Sequence, residues 1–244
     1  MEFCAKEVSG RGPHFTLFMN FWIPSPESWK GQDAFLIGGG SSLLHFDFAS
    51  LRGKNVIGCN DACYLGFPPL SYCVFGDSGW WHRNRLEIEK MPGPFVTNAP
   101  AVLHLKLANV FKMKRVRDGL QTEGTLGWNF STGALAINLA VSLGAQRIFL
   151  LGYDLQDQNQ KSHWHNRNVK PTRTHVFSRF HQGFARIAQD LKSRPGVSIF
   201  NVTDGSSQLK EWPFFSFSEL GAVLQKQTVL LTPDIKESEC VPAL

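Results

Sequence analysis

No stretch of this sequence holds about 18 apolar residues in a row, which excludes a helix that crosses a membrane. The opening Met1-Glu-Phe-Cys-Ala-Lys-Glu-Val8 lacks the layout of a signal peptide. Five cysteines, an odd number without framework spacing, exclude a disulfide scaffold and predict a reduced, cytoplasmic setting. Cys59 and Cys63 form one CxxxC with no second pair, so they read as small buried hydrophobes rather than zinc ligands. No internal repeat and no low-complexity tract occurs. Nothing read here sets an oligomeric state.

What is present fits one large globular domain. The 244 residues are 43% apolar and 18% charged, and 20 Phe and 7 Trp predict a thick core with stacking surfaces. The net charge of +5 is uneven. Residues 80–120 carry eight Lys/Arg against Glu87, Glu89 and Asp118, and residues 160–195 carry eight against Asp190 alone. The remainder is therefore acidic. Two basic segments on an acidic body point to an anionic ligand, or else to two solvated helix faces.

The stretch that organises the chain is Ala34-Phe-Leu-Ile-Gly-Gly-Gly-Ser-Ser-Leu43. Apolar residues running into glycines and serines predict a buried strand that ends in a turn. The turn lacks the lysine of a P-loop and is not GxGxxG. Further strands are predicted at Asn55–Asn60, Ser71–Asp77, Pro94–Asn98, Arg147–Asp154 and Val197–Thr203, and a short helix or turn over Ser42–Arg52. Ser131–Gly144 is the clearest helix, with a Ser/Thr start, apolar residues on more than one face and a glycine stop. His175–Ser193 is amphipathic, and Phe217–Gln225 is a last short helix. Residues 103–130 resist assignment. This alternation predicts an α/β domain, doubly wound around a mostly parallel sheet. Residues 1–32 form an N-terminal arm, 33–231 the catalytic domain with a basic lid region, and 232–244 a loosely held tail.

In such sheets ligands sit beyond the carboxyl ends of the strands. Gly38, Gly39, Gly40, Ser41 and Ser42 offer backbone N–H groups and hydroxyls to a phosphate. Ser131, Thr132 and Gly133 open a helix whose free N–H groups and dipole favour an anion. Asn60 and Asp61 could bond a base, a ribose or a hydroxyl, or form an Asx turn. Asp77 suits a sugar hydroxyl or Mg²⁺, and Asp154 a ribose, a metal or the role of base. His163 and His165 lie on a polar loop downstream of Asp154, with His175 at the next helix start. Each is a candidate general base.

These blocks resemble the Rossmann-like, single-domain bacterial sialyltransferases and their relatives, the archaeal-type 6-hydroxymethylpterin pyrophosphokinases and associated phage-encoded proteins. The resemblance rests on Gly38–Leu43, Gly58-Cys-Asn60, Val74–Asp77, Ser131-Thr-Gly133 with Leu143-Gly144 and Ile148–Asp154, and Asn201–Ser206. It implies a nucleotide held by the first turn, by Asn60 and by the Ser-Thr-Gly helix start, with Ser206 in the last strand-end motif. It also implies a histidine acting as base on an acceptor hydroxyl. The function expected is a nucleotide-dependent transferase, foremost a glycosyltransferase using a nucleotide-sugar donor. Trp80, Trp81 and Trp164, beside the basic segments, admit a nucleic-acid acceptor with a modified base. The alternatives are a pyrophosphokinase with Mg²⁺ on Asp77 or Asp154, and a non-catalytic nucleotide- or nucleic-acid-binding module. If the protein is phage-encoded, its cytoplasm is the host's.

Overall fold

A computed structural model describes residues 21–156, 163–165, 167 and 174–229, leaving aside the side chains of 174, 175 and 227–229. Among these residues eight strands form one sheet. They are β1 (Asp33–Ile37), β2 (Asn55–Cys59), β3 (Tyr72–Phe75), β4 (Phe95–Thr97), β5 (Val110–Lys112), β8 (Arg147–Leu151), β9 (Ser198–Val202) and β10 (Phe214–Phe215). Two more, β6 (Lys114–Val116) and β7 (Thr125–Gly127), pair separately. The helices are α1 (Ser78–Ile88), α2 (Thr132–Ser142), α3 (Thr174–Leu191) and α4 (Phe217–Val229).

The sheet order is β10-β9-β8-β1-β2-β3-β4-β5, and every pairing is parallel. The chain runs outward from β1 to β5, returns through α2, and continues on the other side of β1 with β8. The order therefore reverses between β1 and β8, where a crevice opens at the carboxyl ends. At the opposite end the same two strands are clamped. Arg147 donates through Nε and Nη2 to both oxygens of Asp33 at 2.6 and 2.7 Å, a bidentate pair with a buried carboxylate.

Side chains alternate across each strand, so one run of apolar residues feeds two cores. Ala34, Leu36, Ile148 and Leu150 face α2 and α3, while Phe35, Ile37, Phe149 and Leu151 face the other layer with Trp80, Trp81 and Leu220. The α2 segment is apolar nearly all round because it is covered nearly all round, with Ala134–Ala140 buried throughout. It ends in a Schellman turn: Gly144, at φ +93°, donates to Val141 O and Ala145 donates to Ala140 O.

Several expectations change. Helix α1 was not foreseen; Asp77 starts it as the N-cap. The unassigned 103–130 region holds β5, β6 and β7. The Ser42–Arg52 segment resolves into two 3₁₀ turns, Ser41–Leu43 and Phe48–Leu51. Within the predicted arm, Trp22 packs on Tyr72 and Phe111, and Trp29 N–H donates to Leu143 O at 2.8 Å. Residues 1–20 and the predicted tail lie outside the described residues, as do Lys161, Lys170 and Arg173 of the predicted basic lid.

Candidate functional site

A cleft of about 1120 Å³ opens along the carboxyl ends of β8, β1, β2 and β3. Of the predicted site residues it gathers Gly38, Gly39, Gly40, Asn60, Asp61, Asp77, Ser131, Thr132, Gly133, Asp154, His163 and His165. Tyr153 at the end of β8 and Phe180 of α3 join them, and Trp128 and Phe130, which the sequence did not single out, complete the cleft. The loop carrying Trp128 and Phe130 is pinned by two buried asparagines. Asn138 on α2 accepts from the N–H groups of Gln121 and Gly127 at 3.0 and 2.8 Å. Asn129 exchanges hydrogen bonds with both backbone groups of Gly119.

Backbone strain concentrates here. Asn60, Asn129, Phe130 and Leu155 are non-glycine residues with φ between 46° and 59°, and Asn60, Phe130 and Leu155 line the cleft. Such conformations cost of order 1 kcal/mol or more each and cluster at functional sites. The Asn60 Oδ1 is buried with no hydrogen-bond partner among the described residues.

The two predicted phosphate cradles differ. At the first, Asp154 is 2% exposed, and its carboxylate accepts from Ser42 N–H at 2.9 Å and Ser42 Oγ at 2.6 Å. A Cβ on Gly40 would lie 2.4 to 2.7 Å from that carboxyl group, so only glycine admits it. The Trp164 N–H donates to Gly39 O at 3.0 Å, and its indole N–H donates to Gly38 O at 2.9 Å. The His163 imidazole packs on Gly39. Ser42 does not line the cleft, and neither does Ser41, whose buried Oγ has no partner among the described residues. Burial raises the Asp154 carboxyl above its ordinary range, Ser42 opposes this, and Asp204 adds to it.

The second cradle is open. Ser131 caps α2 with an extended backbone, yet its side chain makes no cap hydrogen bond to the first-turn amides. The Tyr153 ring lies beneath Gly133, and its hydroxyl donates to Gly133 O at 3.2 Å. Cys59, buried beside it with its thiol pushed up to about 12 by burial, stays neutral.

Asp77, which lines the cleft, also caps α1. Its Oδ1 accepts from Gly79 N–H at 2.6 Å and Trp80 N–H at 3.3 Å, which caps α1. Among the described residues no cluster of three or more His, Cys, Asp or Glu is arranged to hold a metal ion. Ser206 does not line the cleft. Its neighbour Ser207 does the holding: fully buried, it donates to Tyr153 O at 2.9 Å and accepts from Asn201 Nδ2 at 2.9 Å. That pair fixes the end of β8. Trp80 and Trp81 are 4% and 2% exposed and both pack on Phe75, Trp81 stacked and Trp80 tilted, so they are not free stacking faces. Trp164 is turned inward onto Phe48.

His163 and His165 stack at 5.2 Å between ring centroids. His165 Nε2 stands 3.8 Å from Asp61 Oδ2, and both side chains are about nine-tenths covered, at 10% and 12% exposure. Burial lowers the His165 pKa, which Asp61 opposes, while His163 and Arg167 reinforce it. The imidazole is thus held neutral with a carboxylate beside it. Arg167 lies 3.3 Å over the Tyr64 ring and donates to Glu87 at 3.0 Å, closing the rim. The His175 side chain lies outside the described residues.

Two solved structures of the sialyltransferase CstII from Campylobacter jejuni show similarity to this chain. The complex with CMP-3FNeuAc has a TM-score of 0.43 at 12% identity, covering 75% of this chain and 85% of that one. The complex with cytidine-5'-monophosphate has a TM-score of 0.45 at 12% identity, covering 76% and 85%. No family model and no curated protein matches the chain.

Proposed function

We propose that the cleft binds a nucleotide-sugar and transfers the sugar to an acceptor hydroxyl. One observation carries the reading. The N-terminus of α2 opens into the cleft with its first-turn amides uncapped by Ser131, while a paired neutral histidine stands in the same cleft. Uncapped N–H groups and the positive end of the helix dipole suit a phosphate that gains charge as it leaves.

In this reading an imidazole, His165 foremost because of Asp61, takes the proton of the acceptor hydroxyl. The acceptor oxygen bonds to the anomeric carbon as the bond from that carbon to the phosphate oxygen breaks. The electron pair leaves with the phosphate, onto the α2 amides and the cleft arginines Arg83 and Arg167. The proton stays on the imidazole, whose charge Asp61 balances. Asp154 holds the glycine turn through Ser42. The pyrophosphokinase alternative asks Asp77 or Asp154 to carry Mg²⁺, and each carboxylate is engaged by backbone amides of the chain. The burial of Trp80 and Trp81 removes two of the stacking faces that a nucleic-acid acceptor would use.

The test is a thermal-shift screen of nucleoside phosphates and nucleotide-sugars, with and without Mg²⁺, followed by detection of the released nucleotide. A ligand at about 100 times its Kd stabilises by roughly 2.7 kcal/mol. The reading is lost if no nucleotide stabilises the protein. The histidine assignment alone is lost if His163→Ala and His165→Ala both turn over normally.

A further inference from the structure

The end of the cleft beyond β3 contains a feature that phosphate binding does not use. Trp128 is a half-buried indole lining the cleft, and it is held on several sides. The Arg115 guanidinium carbon sits 4.4 Å over the ring centroid. That guanidinium is itself fixed, donating to Gly76 O at 3.0 Å and Asn98 O at 3.4 Å. The edge of the ring rests on Gly76 at the end of β3, where a Cβ would come within 2.2 Å of Cζ3. Arg115 is not among the cleft-lining residues, so it backs the ring, leaving the indole as a wall of the cleft. A clamped aromatic face costs little further entropy when another ring stacks on it.

Its position relative to α2 gives the ligand. Ser131 N–H donates to Trp128 O at 3.1 Å, so the indole stands one tight turn before the helix N-terminus. His163 packs on Gly39 after β1, and His165 stands beside Asp61 after β2. Trp128 adjoins the α2 amides at the end of β3, so a phosphate on those amides with its sugar at His165 leaves its nucleoside against Trp128. A second observation marks the same end as a ligand site. Trp80 also lines the cleft, is 4% exposed, and its indole N–H is buried with no partner among the described residues. A buried donor of this kind is costly unless something accepts from it. Asp77 and Arg83 stand beside it on α1.

We infer that Trp128 is the platform on which the nucleobase of the donor stacks, with the Trp80 indole N–H facing an acceptor on the base edge. The inference rests on the proposed nucleotide reading and adds a base subsite to it. It makes Trp128 a determinant of binding, set apart from the histidines that do the chemistry.

Isothermal titration with CMP, UMP, AMP, GMP and ribose 5-phosphate tests it. Trp128→Leu should weaken the best nucleoside monophosphate by about tenfold or more, the range of base–aromatic stacking. It should leave ribose 5-phosphate within about twofold. Trp128→Phe, which keeps a ring on the platform, should keep most of the affinity. The inference is overturned if Trp128→Leu binds both ligands as the wild type does, or loses both equally. It is also overturned if Trp128→Phe binds the nucleotide no more tightly than ribose 5-phosphate, a result that stays informative should the leucine variant not fold. Wild-type protein that binds ribose 5-phosphate as tightly as any nucleotide has no base subsite, although its phosphate site stands. Wild-type protein that binds neither sinks the nucleotide reading itself.

Discussion

Two turns in this chain read alike as sequences, Gly38–Ser42 after β1 and Ser131–Gly133 before α2, and the fold uses them in opposite ways. Both offer glycine, hydroxyls and backbone N–H groups to one cleft. Around the first, the chain supplies its own partners: Asp154 on Ser42, Trp164 on the carbonyls of Gly38 and Gly39, and His163 against Gly39. Around the second, the cap side chain makes no hydrogen bond to the first-turn amides. A glycine after a buried strand thus reports a close approach, and the approaching group can be the protein as readily as a phosphate.

The largest effect that would break this contrast is expected at Gly40. A methyl group there must displace the Asp154 carboxyl from 2.4 Å, against a residue that is nearly fully buried and doubly hydrogen-bonded. Gly40→Ala should cost about 1–3 kcal/mol, read as a clear fall in Tm. An unchanged Tm would mean that the turn is loose and that Asp154 does not fill it.

Asp154 itself gives a pH-dependent version of the same test. Its folded pKa is raised above the ordinary value of 3.8, first by burial. The folded state therefore binds this proton more readily than the unfolded chain. The resulting stabilisation is full below the unfolded value and is lost as pH rises through the folded one. Asp154→Asn cannot titrate, so the stability of the variant relative to wild type should rise as the pH is raised from the ordinary carboxyl value through the folded one. Urea unfolding at several pH values measures it. Parallel curves for the two proteins would show that Asp154 is not the buried, titrating group at this turn.

Much of the scaffold was legible because parallel strands buried on both faces are near-continuous apolar runs. Arg147–Leu151 and Asp33–Ile37 show this plainly, and α2 shows it with its stop. The α1 helix was harder to see: Trp80, Trp81 and Ile88 are its buried residues, and the other eight positions give no sustained apolar stripe. Its only clear mark was Asp77-Ser78 as a cap, which as a strand end looked like a ligand site. Missing α1 also misplaced the tryptophans, since Trp80 and Trp81 face the core only once the helix is drawn. The strands β5, β6 and β7 are three residues each, too short to show a period. Trp128 had no local signal at all. Its place depends on the asparagines at 129 and 138 and on Gly76, which is distant from them in sequence and meets the ring only in the fold.

The smallest effect sharpens the comparison most. Two helices start at this cleft, one capped and one not. Asp77→Ala removes an oxygen that accepts from two amides of α1 and should cost about 1 kcal/mol, the usual worth of an N-cap. Ser131→Ala removes a side chain that makes no cap hydrogen bond, so the stability of the free protein should change by less than about 0.5 kcal/mol. Phosphate affinity should respond in the other sense, falling for Ser131→Ala because its hydroxyl stands at the open amides. Equal losses of stability in the two variants would show that Ser131 caps α2 in solution. The amides would then already have their partner, and a ligand phosphate would lose its place on that helix.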